Sequence, residues 1–232
     1  MMVSKSASEN SGQASGRHGV RRREKAYEGL RRFLILQDIR PGQRLREAEW
    51  AEKLGVNRMA LREAFARLAA EGLIVPGPKI GYVVPELTPD DLREIGEARF
   101  IIEAGAIDLI VQAPGDLRTR LATLQEINEE MDRLGKAQLV LGSVECDRRF
   151  HETLVAASRN RRLVRLYRQA PLPMIHDWIL QEDQWLRAHD NDIAEHKAVL
   201  AALAKRDADK ARQLLREHLG LALTSTATRS RR

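Results

Sequence analysis

The sequence predicts a mostly α protein in two parts: three helices closed by a β-hairpin, then an all-α bundle of six to seven helices. Three observations carry this. Apolar residues recur at spacings of three and four through most of the chain, the period of a helix with one buried face. Two short apolar runs flank a Pro/Gly turn around Gly77, which reads as a hairpin. The charge is also divided. Residues 1–87 carry 16 basic and 10 acidic side chains, whereas residues 88–232 carry 23 of each, so the whole net charge of +6 lies in the first third. That split predicts a basic, polyanion-facing module joined to a neutral one.

At 232 residues the chain is one large domain or two modest ones, ample for a sizeable core. The single cysteine, Cys146, cannot form an internal disulfide, and its neighbours predict a packed core position. The longest uncharged stretch, Leu219 to Thr228, is far short of the roughly 18 apolar residues a membrane-spanning helix needs. The N-terminus is Ser/Gly-rich without an apolar segment, so residues 1–20 are expected as a disordered tail and not a signal peptide. No Gly-rich phosphate loop and no G-x-S-x-G occurs. A soluble, cytoplasmic protein without a membrane partner is expected.

The first part spans residues 21–86. From Arg21 the pattern is helical, with Tyr27, Leu30, Phe33 and Leu34 on one face. Asp38-Ile39-Arg40-Pro41-Gly42 ends that helix, because Pro and Gly break it. Glu47 to Leu54 reads as a second helix, Gly55 as a turn, and Arg58 to Glu71 as a third with Leu61, Ala64, Phe65 and Leu68 inward. Then come Leu73-Ile74-Val75, a Pro76-Gly77-Pro78-Lys79 turn and Tyr82-Val83-Val84. Three helices and such a hairpin form a winged helix-turn-helix, whose third helix enters the major groove of DNA with its N-terminal end. Arg58 and Arg62, one turn apart, share a face there, so one can reach base edges and the other a phosphate. Arg44, Arg46 and Lys79 would flank the groove as phosphate contacts. Two arginines at this spacing also occur on ordinary solvated helices; the surrounding element lengths give them meaning.

Residues 41–84 carry the frame P-G-x-x-L-x-E-x-x-x-A-x-x-L-G-V-x-R, then L-R-E-A, E-G-L and a wing glycine. This stretch resembles the DNA-binding domain of the GntR superfamily of bacterial transcription regulators. The resemblance implies DNA contact by Asn57, Arg58, Met59 and Arg62, and by the wing tip around Lys79 and Gly81.

The second part spans residues 88–224, with a basic tail at 225–232. Thr88-Pro89-Asp90-Asp91 starts it, with Thr as N-cap, Pro at the first helical position and carboxylates in the first turn. Helices are expected at about 90–112, 116–134, 137–157, 161–182, 192–205 and 208–222, with Pro171 and Pro173 kinking or splitting the fourth. Asp147 and His151, four apart, project from one face. His196 and His218 sit on helices that, as a hairpin turning at Arg206-Asp207, would bring them to nearly the same height at about 1.5 Å per residue. Three imidazoles and a carboxylate could then converge. Such a set suits Zn²⁺ or Ni²⁺ more than Ca²⁺ or Mg²⁺ and leaves positions open. Unrelated surface or capping histidines are the alternative. His176 and His189 have no partner at useful spacing, and Trp178 and Trp185 read as core or dimer surface.

Residues 88–222, through Glu97-x-Arg99-x3-Glu103, Asp147-x-x-Phe150-His151, Ser158-Arg159-Asn160, Glu195-His196 and His218, resemble the FCD effector domain of the FadR-like branch of these regulators. The resemblance implies a metal on Asp147, His151, His196 and His218 that helps hold a small carboxylate or sugar-acid effector. Arg99 is the candidate to clamp the effector's other end; its alternative is an i, i+4 pair with Glu103. The expected protein is a regulator, a repressor in the commoner family behaviour, that binds a palindromic operator as a homodimer. Two further readings stand beside it. One is a sensor of the metal ion itself. The other is a metal-dependent hydrolase, against which no carboxylate is placed as general base.

Overall fold

The computed structural model describes residues 9–35, 38–78, 81–169 and 182–221. The chain divides into two compact units near Leu87 and Thr88.

In the first unit, helix α1 covers Glu9–Ile35. Its backbone is helical from Glu9, upstream of the expected start at residue 21. No proline interrupts this stretch, and once a helix exists each added residue gains one backbone hydrogen bond. Residues 1–8 lie outside the described residues. Ala26, Leu30 and Leu34, four apart, are fully buried. Strand β1 (Arg44–Leu45), helix α2 (Glu47–Leu54) and helix α3 (Arg58–Ala70) follow. Gly55 makes the turn with φ 61°, a left-handed conformation suited to glycine. Asn57 caps α3, its side-chain oxygen accepting from the Ala60 amide at 2.8 Å. The inward face of α3 is Ala60, Leu61, Ala64, Phe65 and Leu68. Burying each large apolar side chain there contributes about 1.5–3 kcal/mol.

The hairpin is narrower than expected: β2 is Val75–Pro76 and β3 is Tyr82–Val83, while Leu73 and Ile74 precede the sheet. The sheet has three strands in the order β1-β3-β2, all antiparallel, with Arg44 opposite Val83 and Leu45 opposite Tyr82. A two-residue β1 is too short to show alternation, and its pairing is distant in sequence. It also explains Gly81. That residue has φ +114°, and a Cβ there would lie 2.8 Å from the Leu45 carbonyl oxygen. Gly81→Ala should therefore destabilise the first unit by about 1–3 kcal/mol, visible as a lower melting temperature. An unchanged melting curve would mean the wing tolerates a side chain against β1.

The second unit is helical: α4 (Pro89–Gln112), α5 (Leu117–Lys136), α6 (Val140–Ala157), α7 (Arg161–Gln169), α8 (Glu182–Ala204) and α9 (Ala208–His218). Thr88 and Asp91 form a capping box with Pro89 at the first helical position. The helix beginning at Arg161 is described as far as Gln169. Pro171 and Pro173, with His176 and Trp178, lie outside the described residues, as does the Trp185 side chain. The helix carrying His196 begins at Glu182 rather than near 192. The α8–α9 turn has Arg206 at φ 58° and Asp207 capping α9. Arg206 donates to the carbonyls of Ala113 at 3.1 Å and Gly115 at 2.8 Å, tying the turn to the end of α4. The core of this unit gathers Ile107, Ile110, Leu121, Leu124, Met131, Cys146, Phe150, Leu154, Val199, Leu203 and Leu215. Cys146 is buried in it, as expected. No helix among the described residues is long and apolar enough to cross a membrane.

Candidate DNA-contact face and metal centre

Asn57, Arg58, Met59 and Arg62 occupy the N-terminal end of α3 and are all exposed. Met59 is 70% exposed, unusual for a large apolar side chain. The Asn57 oxygen is engaged as the helix cap. Arg62 Nε donates to Glu47 Oε2 at 2.8 Å, which draws the start of α2, next to exposed Arg46, toward α3. That pair is exposed and worth little, so Arg62 can be re-partnered at small cost. Arg44 is half-buried on β1, its guanidinium 3.8 Å from where a Gly81 Cβ would stand. Lys79 lies outside the described residues.

In the second unit, Asp147 and His151 come from α6, His196 from α8 and His218 from α9. One donor atom of each lies within 4.8 Å of the others. His151 Nε2 is 3.0 Å from His218 Nε2 and 3.4 Å from His196 Nε2, and His196 and His218 are 3.3 Å apart. Asp147 Oδ1 stands 3.6 Å from His151 Nε2 and 3.5 Å from His196 Nε2. The hairpin spacing and the i, i+4 spacing thus bring the four predicted residues to one point.

The outward side of each ring is equally ordered. His151 Nδ1–H donates to Glu103 Oε2 at 2.7 Å. His196 Nδ1–H donates to Asn128 Oδ1 at 3.1 Å, and His218 Nδ1–H to Glu195 Oε2 at 2.8 Å. With each Nδ1 donating outward, a neutral ring turns its Nε2 lone pair inward. Three lone pairs and a carboxylate then face one centre, an arrangement that requires positive charge: a proton on one ring, or a cation shared by all. A metal about 2.0–2.1 Å from each imidazole nitrogen would hold those nitrogens roughly 2.9–3.4 Å apart, from octahedral to tetrahedral angles. The observed spacings match, and three nitrogens with one oxygen suit a borderline divalent ion. The residues fit a metal.

Electrostatics point the same way. Burial works against ionisation of Asp147, yet the hydrogen bond and charge of His151, with His196 and His218, hold its carboxyl well below the usual range. His151 would be depressed by burial, but Glu103 and Asp147 raise it to about 9. Burial and the two neighbouring imidazoles push His196 well below its ordinary value. Burial, with the charges of Asp147 and Glu195, raises Asp192 to about 7.

Arg99 pairs with Glu103, Nε to Oε1 at 3.3 Å, so the intrahelical contact exists. It also stands one hydrogen bond away from His151, because Glu103 bridges the two. Tyr167 of α7 donates to the same Oε1 at 2.9 Å. Asn128 and Glu103 lacked an assigned outer role from sequence, although both are polar residues on otherwise apolar helix faces: Glu103 beside Ala106 and Ile107, Asn128 between Leu124 and Met131. His189 does have a partner, its Nδ1 3.0 Å from Ser143 Oγ in the core.

Residues 22–84 match the family of bacterial regulatory proteins, gntR family, and residues 94–221 match the FCD domain. The Uxu operon transcriptional regulator of Escherichia coli is 30% identical over 213 residues, covering 82% of this chain and 80% of its own length. A regulator from the TAR-I ttuE-ttuC' intergenic region of Agrobacterium vitis is 32% identical, covering 57% of this chain and 78% of its own. The HTH-type transcriptional repressor GlaR of E. coli is 25% identical, covering 83% and 90%. Among solved structures, E. coli McbR/YncC superposes with a TM-score of 0.64 at 23% identity, covering 86% of this chain and 93% of the other. A GntR regulator from Rhodococcus sp. RHA1 gives 0.63 at 24%, covering 86% and 94%. These two likenesses speak to fold.

Proposed function

The chain belongs to the gntR family of bacterial regulatory proteins, in its FadR-like branch with an FCD domain, and from that premise we propose that a divalent metal held by Asp147, His151, His196 and His218 senses a small carboxylate. As a family member the protein is a DNA-binding transcription regulator and not an enzyme, which removes the hydrolase reading.

One observation carries the metal proposal: three imidazole Nε2 atoms within 3.0–3.4 Å of one another, each ring donating outward through Nδ1. Zn²⁺ or Ni²⁺ would suit that donor set and, held by those four residues, would supply a Lewis acid for an anion. This chain's residues do the rest. Asp147 and the three rings set the ion's place, and Glu103 aims His151. Arg99, paired with Glu103 and interacting with Tyr167, is the guanidinium placed to meet the far end of a carboxylate or sugar acid. On DNA, Arg58 reads a base edge while Arg62, Arg46, Arg44 and Lys79 meet phosphates. Asn57 and Gly81 shape the approach of helix and wing, and exposed Met59 meets a thymine methyl. One recognition helix reads one half-site, so a homodimer on a palindrome in the cytoplasm is the working form. The repressor name of one relative, GlaR, supports repression as the direction of control.

A thermal-shift screen of small carboxylates and sugar acids, with and without Zn²⁺ or Ni²⁺, tests the reading. A true effector at 100-fold its dissociation constant adds about 2.7 kcal/mol to stability, and only in the metal-loaded protein. Equal shifts in chelated protein would remove the metal from effector binding. If chelation alone changed operator affinity as much as any carboxylate, the ion itself would be the signal.

A further inference from the structure

Two of the three histidines of the cluster lean on carboxylates, Glu103 and Glu195. His196 alone leans on an amide. Asn128 lies on α5 and is 2% exposed, so both ends of its amide need partners inside the protein. Its Nδ2 donates to the Ile193 carbonyl at 3.3 Å, and its Oδ1 accepts from His196 Nδ1 at 3.1 Å. A carbonyl oxygen can only accept. The Ile193 contact therefore settles which end of the amide is which, and the oxygen must face the imidazole. That in turn requires the His196 proton on Nδ1 and the lone pair on Nε2, pointing at the other donors. Phe150, stacked on the His196 ring at 3.8 Å between centroids and 12° between planes, holds the ring's plane but is blind to where its proton sits. Asn128 is the acceptor at Nδ1 that favours this tautomer, against the Asp147 carboxylate 3.5 Å from Nε2, which would accept from the other one.

We propose that Asn128 is a positioning residue that locks His196 in the Nδ1–H tautomer, keeping its Nε2 lone pair directed into the Asp147–His151–His218 cluster so that it can ligate a divalent metal. The inference rests on the metal reading for its last clause; the tautomer lock stands on hydrogen bonding alone. An amide does this without adding a third outer carboxylate. The anchor on Ile193, three residues before His196 on the same helix, makes α5 the gauge that sets the ring's height.

The test uses the full-length protein with Asn128→Leu and Asn128→Asp. Leucine keeps most of the volume but cannot accept, whereas aspartate buries a charge but can. Long-range ¹⁵N–¹H spectra of the imidazoles are recorded on metal-free protein, and Zn²⁺ affinity is measured by competition with a chelating dye. The wild type should show His196 with its proton on Nδ1. Asn128→Leu should shift it to a mixture including Nε2–H and weaken Zn²⁺ binding by about 10–100-fold. Asn128→Asp should keep the wild-type tautomer and bind Zn²⁺ at least as well as Asn128→Leu. A role in packing alone gives the opposite order, with leucine benign and aspartate damaging, and would overturn the proposal. So would a wild-type spectrum with the proton on Nε2, a result that needs no variant to fold. If the wild type takes up no Zn²⁺ while its tautomer depends on Asn128, the metal reading fails and the lock survives.

Discussion

His196→Ala should weaken binding of Zn²⁺ or Ni²⁺ by at least about 100-fold, more than any loss of an outer partner. His196 is fully buried and supplies one of three inward imidazole lone pairs, with Asp147 and His151 closing the same centre. Removing the ring leaves two histidines on one carboxylate, a much poorer site. Metal content after gel filtration reads the result directly, with circular dichroism confirming the fold. A variant that retains a full equivalent of metal would refute the ligand assignment. The pH dependence has a defined sign. The rings must be neutral to ligate, and Glu103 together with Asp147 raises His151 to about 9 in the metal-free cluster. A proton must therefore leave as the ion enters, so affinity rises with pH through neutrality and falls on acidification.

Arg58→Ala should cost about 1–3 kcal/mol of specific operator binding for each half-site, enough in a dimer to remove the shifted band at ordinary protein concentrations. Stability should not change, because Arg58 is exposed at the first position of α3 and the helix cap is supplied by Asn57. Arg62→Ala should behave differently. A phosphate contact is lost at each half-site, so binding weakens on all sequences alike and the salt dependence becomes shallower by about one ion per half-site. Gel shifts at two salt concentrations, on operator and on random DNA, separate the two. Unchanged operator affinity in Arg58→Ala would move base reading away from this end of α3.

Much of this site was legible in the sequence because it depends on spacing along helices. Asp147 and His151 are four apart, and their shared face follows from the pitch of one helix. His196 and His218 flank a tight turn, and counting residues up one helix and down the next places them level; they stand 3.3 Å apart. The Thr88–Asp91 capping box and the Gly55 turn are local for the same reason. Where the reading stopped, the partner came from far along the chain. Strand β1 is two residues whose pairing with Tyr82 and Val83 cannot be inferred from Arg44 and Leu45 themselves. Helix α1 starts at Glu9, ahead of Arg21 where its apolar period begins, because helix continuation needs only an existing helix and no proline. His189 looked isolated because its partner, Ser143, is 46 residues away.

By itself, then, the sequence determined a basic winged helix, a neutral helical domain and the four side chains that meet in it, because helix pitch and turn chemistry are local properties. Tertiary structure alone decided how those side chains are aimed. Glu103, Asn128 and Glu195 reach the rings from 48, 68 and 23 residues away, and that depends on the register in which α4, α5 and α8 pack. A histidine's identity is written in its codon; the direction of its lone pair is set by whichever oxygen the packed core brings to its other nitrogen.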